Sequence, residues 1–280
     1  MWDMDTPEQR AKILEAEVQA FKKYLGTVPP GDFDRSSACE GWSVADVVAH
    51  LVGQDFALRV TRGLQGDSSP PEGAPDVADH DEDRFAQNIF DRAHATREQH
   101  GDCLVAALGE RLDETVAVFN GVPAGQWDNL CYWPPGPEPV RTLLDMRISE
   151  LTMHAWDIGS VLGAGYHLSA EAVAVLFDTV DRAVRRAFRP DPSLEKPIRH
   201  RFILSGTQSA EKDIVVAASG ATVGPAGAET PDVTFLCDGE TYVLAMYGRV
   251  GIDAAIADGR LRFEGDAVLA TGFGRRFVGG

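Results

Sequence analysis

Glu150 and His154 stand four residues apart in the segment SELTMHAWDIG, residues 149–159, with Asp157 three positions further on and no helix breaker before Gly159. Positions i and i+4 of an α-helix lie one above the other, with Cβ atoms roughly 5–6 Å apart, so a carboxylate and an imidazole placed there can reach one ion. A complete site needs a third ligand from another helix. His50, in GWSVADVVAHL beside an apolar stripe, is the best candidate, because facing helices of a bundle converge. Two imidazoles and one carboxylate form the ligand set of several catalytic zinc sites, which leave a coordination position open for water or substrate. The same set also suits Fe(II).

The ordinary alternative is a solvated Glu–His pair worth about 0.2–0.5 kcal/mol. Asp157 carries three readings: an acceptor that orients an imidazole, a further ligand, or an exposed carboxylate. His80, His94, His100, His167 and His200 lie in polar or loop contexts and receive no role. Cys39 would need a neighbouring base to act as a nucleophile, and none is evident from the sequence.

The elements that must position these residues follow from caps and periodicity. Thr6-Pro7-Glu8-Gln9 reads as a helix start, and Leu14, Val18, Phe21 and Leu25 recur at helical spacing, which predicts a helix over about 7–25. Ser43 and Asp46 form a capping pattern for a second helix over about 44–65 that contains His50. The acidic, proline-rich stretch from Gly66 to Asp83 reads as a mobile surface loop. One long helix, or two meeting near HGDC, extends to about 120, and WPPGPEP at 133–139 forces a bend. Leu143, Leu144, Ile148, Leu151, Ala155, Ile158 and Leu162 mark the helix that carries Glu150 and His154. SAEAVAVLFDTVDRAVRRAF reads as a fifth helix, so residues 1–190 are expected to form an up-and-down bundle. Beyond Pro190 and Pro192, RHRFILSG, KDIVVAAS, DVTFLCDG and GRLRFEGD read as short strands, with two short helices between the last two. Residues 191–280 are therefore expected to be a small α+β domain.

The chain has 280 residues, 44% of them hydrophobic, enough for the cores of two modest domains. Its formal net charge of −17 disfavours phosphate backbones and anionic lipid surfaces, so neither nucleic acid nor membrane is expected as a partner. The start MWDMDTPEQR lacks the basic and apolar run of a signal peptide, and about 18 consecutive apolar residues occur nowhere, so a cytoplasmic location is expected. Cys39, Cys103, Cys131 and Cys237 form no C-x-x-C pair and read as reduced, mostly buried thiols.

Taken together, CEGWSVADVVAHL and SELTMHAWDIG resemble the mycothiol-dependent maleylpyruvate isomerase family, within the wider DinB-like metal-binding bundles. The residues that carry the likeness are Cys39, Gly41, Trp42, Ser43, Asp46, His50 and Leu51, then Glu150, His154, Trp156 and Asp157. DVTFLCDGETYVLAMYGRVGIDAAIADGRLRFEGD is similar to the sterol-carrier-like domain that follows the bundle in many such proteins. The resemblance implies zinc held by His50, Glu150 and His154, and mycothiol as thiol cosubstrate. It implies an isomerase or S-transferase acting on a small electrophile. It also matches Arg249, in YGRVG, to a catalytic arginine placed to meet an acidic substrate, a task that suits a guanidinium; a surface arginine capping a helix end is the alternative. Arg260 and Arg262 read as solvent-facing strand residues, and Trp42 and Trp156 as core beside the metal. The long acidic loop and WPPGPEP depart from the isomerase, so maleylpyruvate is not assumed as substrate. A carrier protein with an apolar ligand in the second domain, or a non-haem iron enzyme, stands as the other expectation.

Overall fold

The computed structural model describes residues 6–71, 82–134, 136–163 and 165–276, and the chain divides by packing into two units that meet between Tyr166 and His167.

The first unit is helical. α1 (Pro7–Leu25) begins where the Thr6 hydroxyl accepts from the Gln9 N–H, and it buries Leu14, Val18, Phe21 and Leu25. α2 (Val44–Val52) has the reciprocal cap its sequence announces: Ser43 Oγ accepts from Asp46 N–H, and Asp46 Oδ2 accepts from Ser43 N–H at 2.9 Å. Arg97 fixes that cap by donating to Asp46 Oδ1 at 3.0 Å. Every residue of α2 is buried, His50 included.

The second helix does not run on to 65. It stops at Gly53, and α3 (Phe56–Leu64) starts anew after Asp55. The break falls at a glycine followed by two residues whose side chains bond elsewhere, Gln54 to the helix that carries Glu150 and Asp55 to Arg59 at 2.6 Å. α4 (Glu82–His100) and α5 (Leu104–Asn120) do meet at the expected turn, where Gly101 takes a left-handed φ of 48°. β1 (Leu130–Cys131) and β2 (Glu138–Pro139) pair as a short ladder around the WPPG bend. α6 (Val140–Leu162) then runs for 23 residues and lies against α1, α2 and α3. Of the acidic segment read as a surface loop, residues 72–81 lie outside the described residues.

The second unit holds a five-stranded sheet in the order β5-β4-β3-β6-β7, from β3 (Ile198–Ser205), β4 (Ala210–Ala217), β5 (Gly220–Pro225), β6 (Val233–Asp238) and β7 (Arg262–Gly265). β3 and β6 are parallel and the other pairs antiparallel. β5, GATVGP, was not anticipated, because its glycines and proline carry the signature of a turn and its edge pairing with β4 supplies the order. β3 alternates, turning Ile198, His200, Phe202 and Leu204 inward and Arg199 and Arg201 toward Asp213. The expected fifth helix is two, α7 (Ala170–Asp178) and α8 (Val180–Ala187), broken at Thr179, whose hydroxyl bonds back to the Val175 carbonyl at 3.0 Å.

These two helices belong with the sheet and not with the bundle. α7 packs on α9 (Gly239–Met246) and α8 on α9 and β5, which moves the boundary from the expected 190 to 166. The patterning of α7 and α8 is that of any amphipathic helix, and only the partner surface tells which core they cover. α10 (Ile252–Ala257) and α11 (Ala267–Gly272) complete the unit. Its interior is filled by rings: Phe202 lies 4.8 Å from Phe235 and 5.1 Å from Tyr242, centroid to centroid, and His200 lies 4.7 Å from Phe273. The chain is thus a helical bundle followed by a mixed α+β domain. Among the described residues no helix is long and apolar enough to cross a membrane.

Candidate metal centre

The capped, fully buried α2 carries His50 to the face of α6 where Glu150 and His154 emerge one turn apart. His50 Nε2 lies 3.3 Å from Glu150 Oε2, and His154 Nε2 lies 3.6 Å from the same oxygen. The two imidazoles meet edge to face with centroids 4.9 Å apart. Zinc ligands about 2.0–2.1 Å from the ion at tetrahedral angles lie roughly 3.3–3.4 Å from one another, which the two spacings to Glu150 approach. All three ligand atoms lie within 4.8 Å of one another, a donor set of the kind that could hold a divalent ion. The side chains are 9%, 33% and 13% exposed for His50, Glu150 and His154, so the trio is open to solvent on the carboxylate side.

The tautomers follow from the neighbours. His154 Nδ1 lies 2.9 Å from Asp157 Oδ2, and Asp157 is fully buried. In the neutral form that a metal ligand requires, the proton of His154 sits on Nδ1 and its Nε2 lone pair faces Glu150 and His50. Of the three readings of Asp157, its burial excludes the exposed carboxylate; its contact with His154 fits the orienting acceptor, and with Cys39 and His154 it also forms a second group of ligand atoms within 4.8 Å of one another. Burial would lower the affinity of His154 for protons, but Asp157, Cys39 and Glu150 outweigh it and hold the imidazole well above its usual range. Glu150 is opposed in the same way: burial raises it, and the two imidazoles together bring it well below the usual carboxylate range. His50 is lowered, chiefly by burial, and stays neutral.

Cys39 departs from the sequence reading. Its thiol donates to Asp157 Oδ2 at 3.0 Å, and its sulfur lies 3.8 Å from His154 Nδ1, so a base and a carboxylate do stand beside it. The i to i+118 separation hides this in the sequence. Trp42 and Trp156 are half-buried and not core, Trp42 with its ring 5.5 Å from His50 and edge-on to it. Beyond Trp42 come the exposed Phe90 at 6.1 Å and, from Phe90, the half-buried His94 at 4.3 Å. Arg249 belongs to the second unit, in the turn after α9, where Nη1 donates to the Tyr247 carbonyl at 3.0 Å. Arg260 and Arg262 are both exposed, as expected, but only Arg262 lies in a strand, β7, while Arg260 sits in the turn before it.

Two residues that the sequence reading passed over stand at the centre. Gln54 Nε2 lies 2.7 Å from Glu150 Oε2 and 2.9 Å from His50 Nε2, and the Gln54 carbonyl accepts from the fully buried Arg147. The spacing of Gln54 four residues after His50 was the one available signal.

A family model described as the mycothiol maleylpyruvate isomerase N-terminal domain matches residues 14–159, and one described as the SCP-2 sterol transfer family matches residues 196–277. Among solved structures, the chain is similar to a crystal structure of the mycothiol-dependent maleylpyruvate isomerase, with TM-score 0.62 and 16% identity over 89% of this chain and 93% of that one. A histidine-to-alanine mutant of that isomerase gives the same TM-score of 0.62, identity of 16% and coverage of 89% and 93%. At this identity the likeness is one of fold. No curated protein gives a significant match. Because the first model spans more than half of the chain, including His50, Glu150 and His154, the chain belongs to the mycothiol maleylpyruvate isomerase family, with its amino-terminal domain followed here by an SCP-2 domain.

Proposed function

We propose that this protein is a zinc- and mycothiol-dependent enzyme, an isomerase or S-transferase acting on a small electrophilic substrate. The observation that carries this reading is the convergence of His50, Glu150 and His154 at 3.3 and 3.6 Å with an open carboxylate side. Family membership and the likeness in fold to a mycothiol-dependent maleylpyruvate isomerase support the thiol as cosubstrate.

The three side chains would hold the ion through His50 Nε2, Glu150 Oε2 and His154 Nε2. Zinc, when bound, supplies a positive charge that lowers the pKa of a docked thiol toward neutrality. The chain's own residues set the conditions. Asp157 keeps the His154 proton on Nδ1, and Cys39, by donating to the same carboxylate oxygen, holds that carboxylate in place, so the imidazole cannot rotate without losing its bond to Asp157. Trp42, Phe90 and His94 form an aromatic run from His50 toward the surface. A docked thiol would supply the nucleophile for an activated double bond; reversible addition would serve isomerisation, and addition completed by uptake of a proton at the neighbouring carbon would serve conjugation. Arg249 is assigned to the carboxylate of an acidic substrate, the role that the family resemblance gives it.

The test is metal analysis of the purified protein beside His154→Ala, with thermal unfolding of the zinc form against a panel of low-molecular-weight thiols. Near-stoichiometric zinc in the parent, loss of it in the variant and a selective rise in stability with mycothiol are expected. Iron in place of zinc after anaerobic purification points to the oxygenase-type alternative. Absence of any metal from both proteins overturns the reading.

A further inference from the structure

The break between α2 and α3 turns Gln54 back over the end of α2, so that its amide faces the ligand atoms and its carbonyl faces α6. An amide can be placed either way round, but here one end is decided: the Gln54 carbonyl accepts from Arg147 Nη1, and a guanidinium has only donors. Gln54 Nε2 therefore presents its two hydrogens to Glu150 Oε2 at 2.7 Å and His50 Nε2 at 2.9 Å. Arg147 stands three residues before Glu150 on the same face of α6 and is 1% exposed.

A buried guanidinium is an expensive way to hold one amide. Among the described residues Arg147 Nε and Nη2 have no hydrogen-bond partner, and the cation rests over the Phe56 ring at 5.3 Å. Burial lowers its pKa only to about 10, so it stays charged. Apolar side chains of similar volume commonly replace such a charge at no loss of stability. Packing alone does not explain why it is there.

We infer that Arg147 and Gln54 act as one positioning chain for the metal centre, in which Arg147 locks the amide and Gln54 aims the Glu150 carboxylate. Both hydrogen bonds hold in the metal-free protein. When His50 Nε2 gives its lone pair to the ion, Gln54 keeps the bond to Glu150 Oε2, since a carboxylate oxygen has a second lone pair to accept it. Neither residue touches the ion. The inference rests on the proposed metal site at His50, Glu150 and His154.

The experiment measures zinc affinity by competition with a chromophoric chelator, for the parent, Gln54→Leu, Arg147→Met and the double variant. Thermal unfolding of each metal-free protein runs beside it. Loss of an outer partner of a metal ligand typically weakens binding roughly 10- to 100-fold, and each single variant is expected to fall in that range. The double variant is expected to be no weaker than the worse single, because the two residues act in series. The metal-free unfolding temperature of Arg147→Met should match or exceed that of the parent. Zinc affinity within about twofold of the parent in Gln54→Leu overturns the inference, as does an additive loss in the double variant. If Arg147→Met fails to fold, Gln54→Leu decides alone, because Gln54 is half-buried in a connection between helices. A parent that binds no zinc would instead overturn the metal reading itself, and this chain with it.

Discussion

Asp157, fully buried on α6, accepts the Nδ1 proton of His154 at 2.9 Å, so one imidazole faces a carboxylate on one side and two metal-type ligands on the other. The pair stand three positions apart on the same helix, and the orientation of His154 is thereby set before any ion arrives.

Asp157→Asn keeps the size of the side chain and lets an amide meet Nδ1 in place of a carboxylate. Zinc affinity, read by chelator competition, is expected to fall roughly 10- to 100-fold. Cys39→Ser, which keeps a donor to Asp157 Oδ2, should change it much less. Equal losses in the two variants would show that the thiol is needed as much as the carboxylate to orient the ring.

Arg249→Ala is expected to leave zinc content unchanged and to remove a preference for acids over neutral esters among α,β-unsaturated substrates. A charge-assisted hydrogen bond is worth about 1.5–3 kcal/mol, which corresponds to roughly a tenfold to hundredfold fall in kcat/KM for the acids alone. A matching fall for acids and esters would remove Arg249 from the substrate's carboxylate.

His200 gives the second unit a dependence on pH. It is fully buried, and burial, with Arg276 adding to it, pushes the imidazole down to about 4, while backbone groups of Leu269 and Ile214 and the Asp232 carboxylate act the other way without offsetting it. The unfolded chain takes up the proton near its ordinary value of about 6.5. The unfolded state then binds more protons across that interval, so stability is complete above about pH 6.5 and falls as pH drops to about 4. The loss amounts to about 3 kcal/mol. His200→Phe, measured by urea unfolding between pH 7 and pH 4, is expected to flatten the slope in that window. An unchanged slope would assign the acid sensitivity to another group.

Gly159→Ala is expected to destabilise the bundle by about 1–3 kcal/mol, because a Cβ at that position would lie 2.2 Å from Cδ2 and 2.3 Å from Cγ of the Tyr166 ring. The ring is itself held against Tyr24 at 5.3 Å. Thermal unfolding should show recovery of part of the loss in Gly159→Ala combined with Tyr166→Ala. No loss in the single variant would mean that the ring moves freely.

Much of this was legible in the residues alone, and the reasons are local. The caps of α1 and α2 were readable from Thr6, Pro7, Ser43 and Asp46, since a cap is closed within four residues. The i, i+4 pair Glu150 and His154 was readable because a helix fixes which positions share a face. The bend at WPPGPEP and the alternation of β3 were readable for the same reason of short range.

What required the folded chain is everything that depends on which surface meets which. Helical spacing says that α7 and α8 have an apolar face but not that the face belongs to α9 and β5, so the domain boundary moved from 190 to 166. Cys39 acquires its carboxylate and imidazole across more than a hundred residues. The same is true of Gln54 and Arg147, which look like an unremarkable amide and a surface arginine until α2 ends at Gly53 and α6 packs against it. Periodicity determines what a helix can present. The close packing of one helix on another determines what it does present, because burial, and with it the cost of an unpaired charge, exists only after that packing is made.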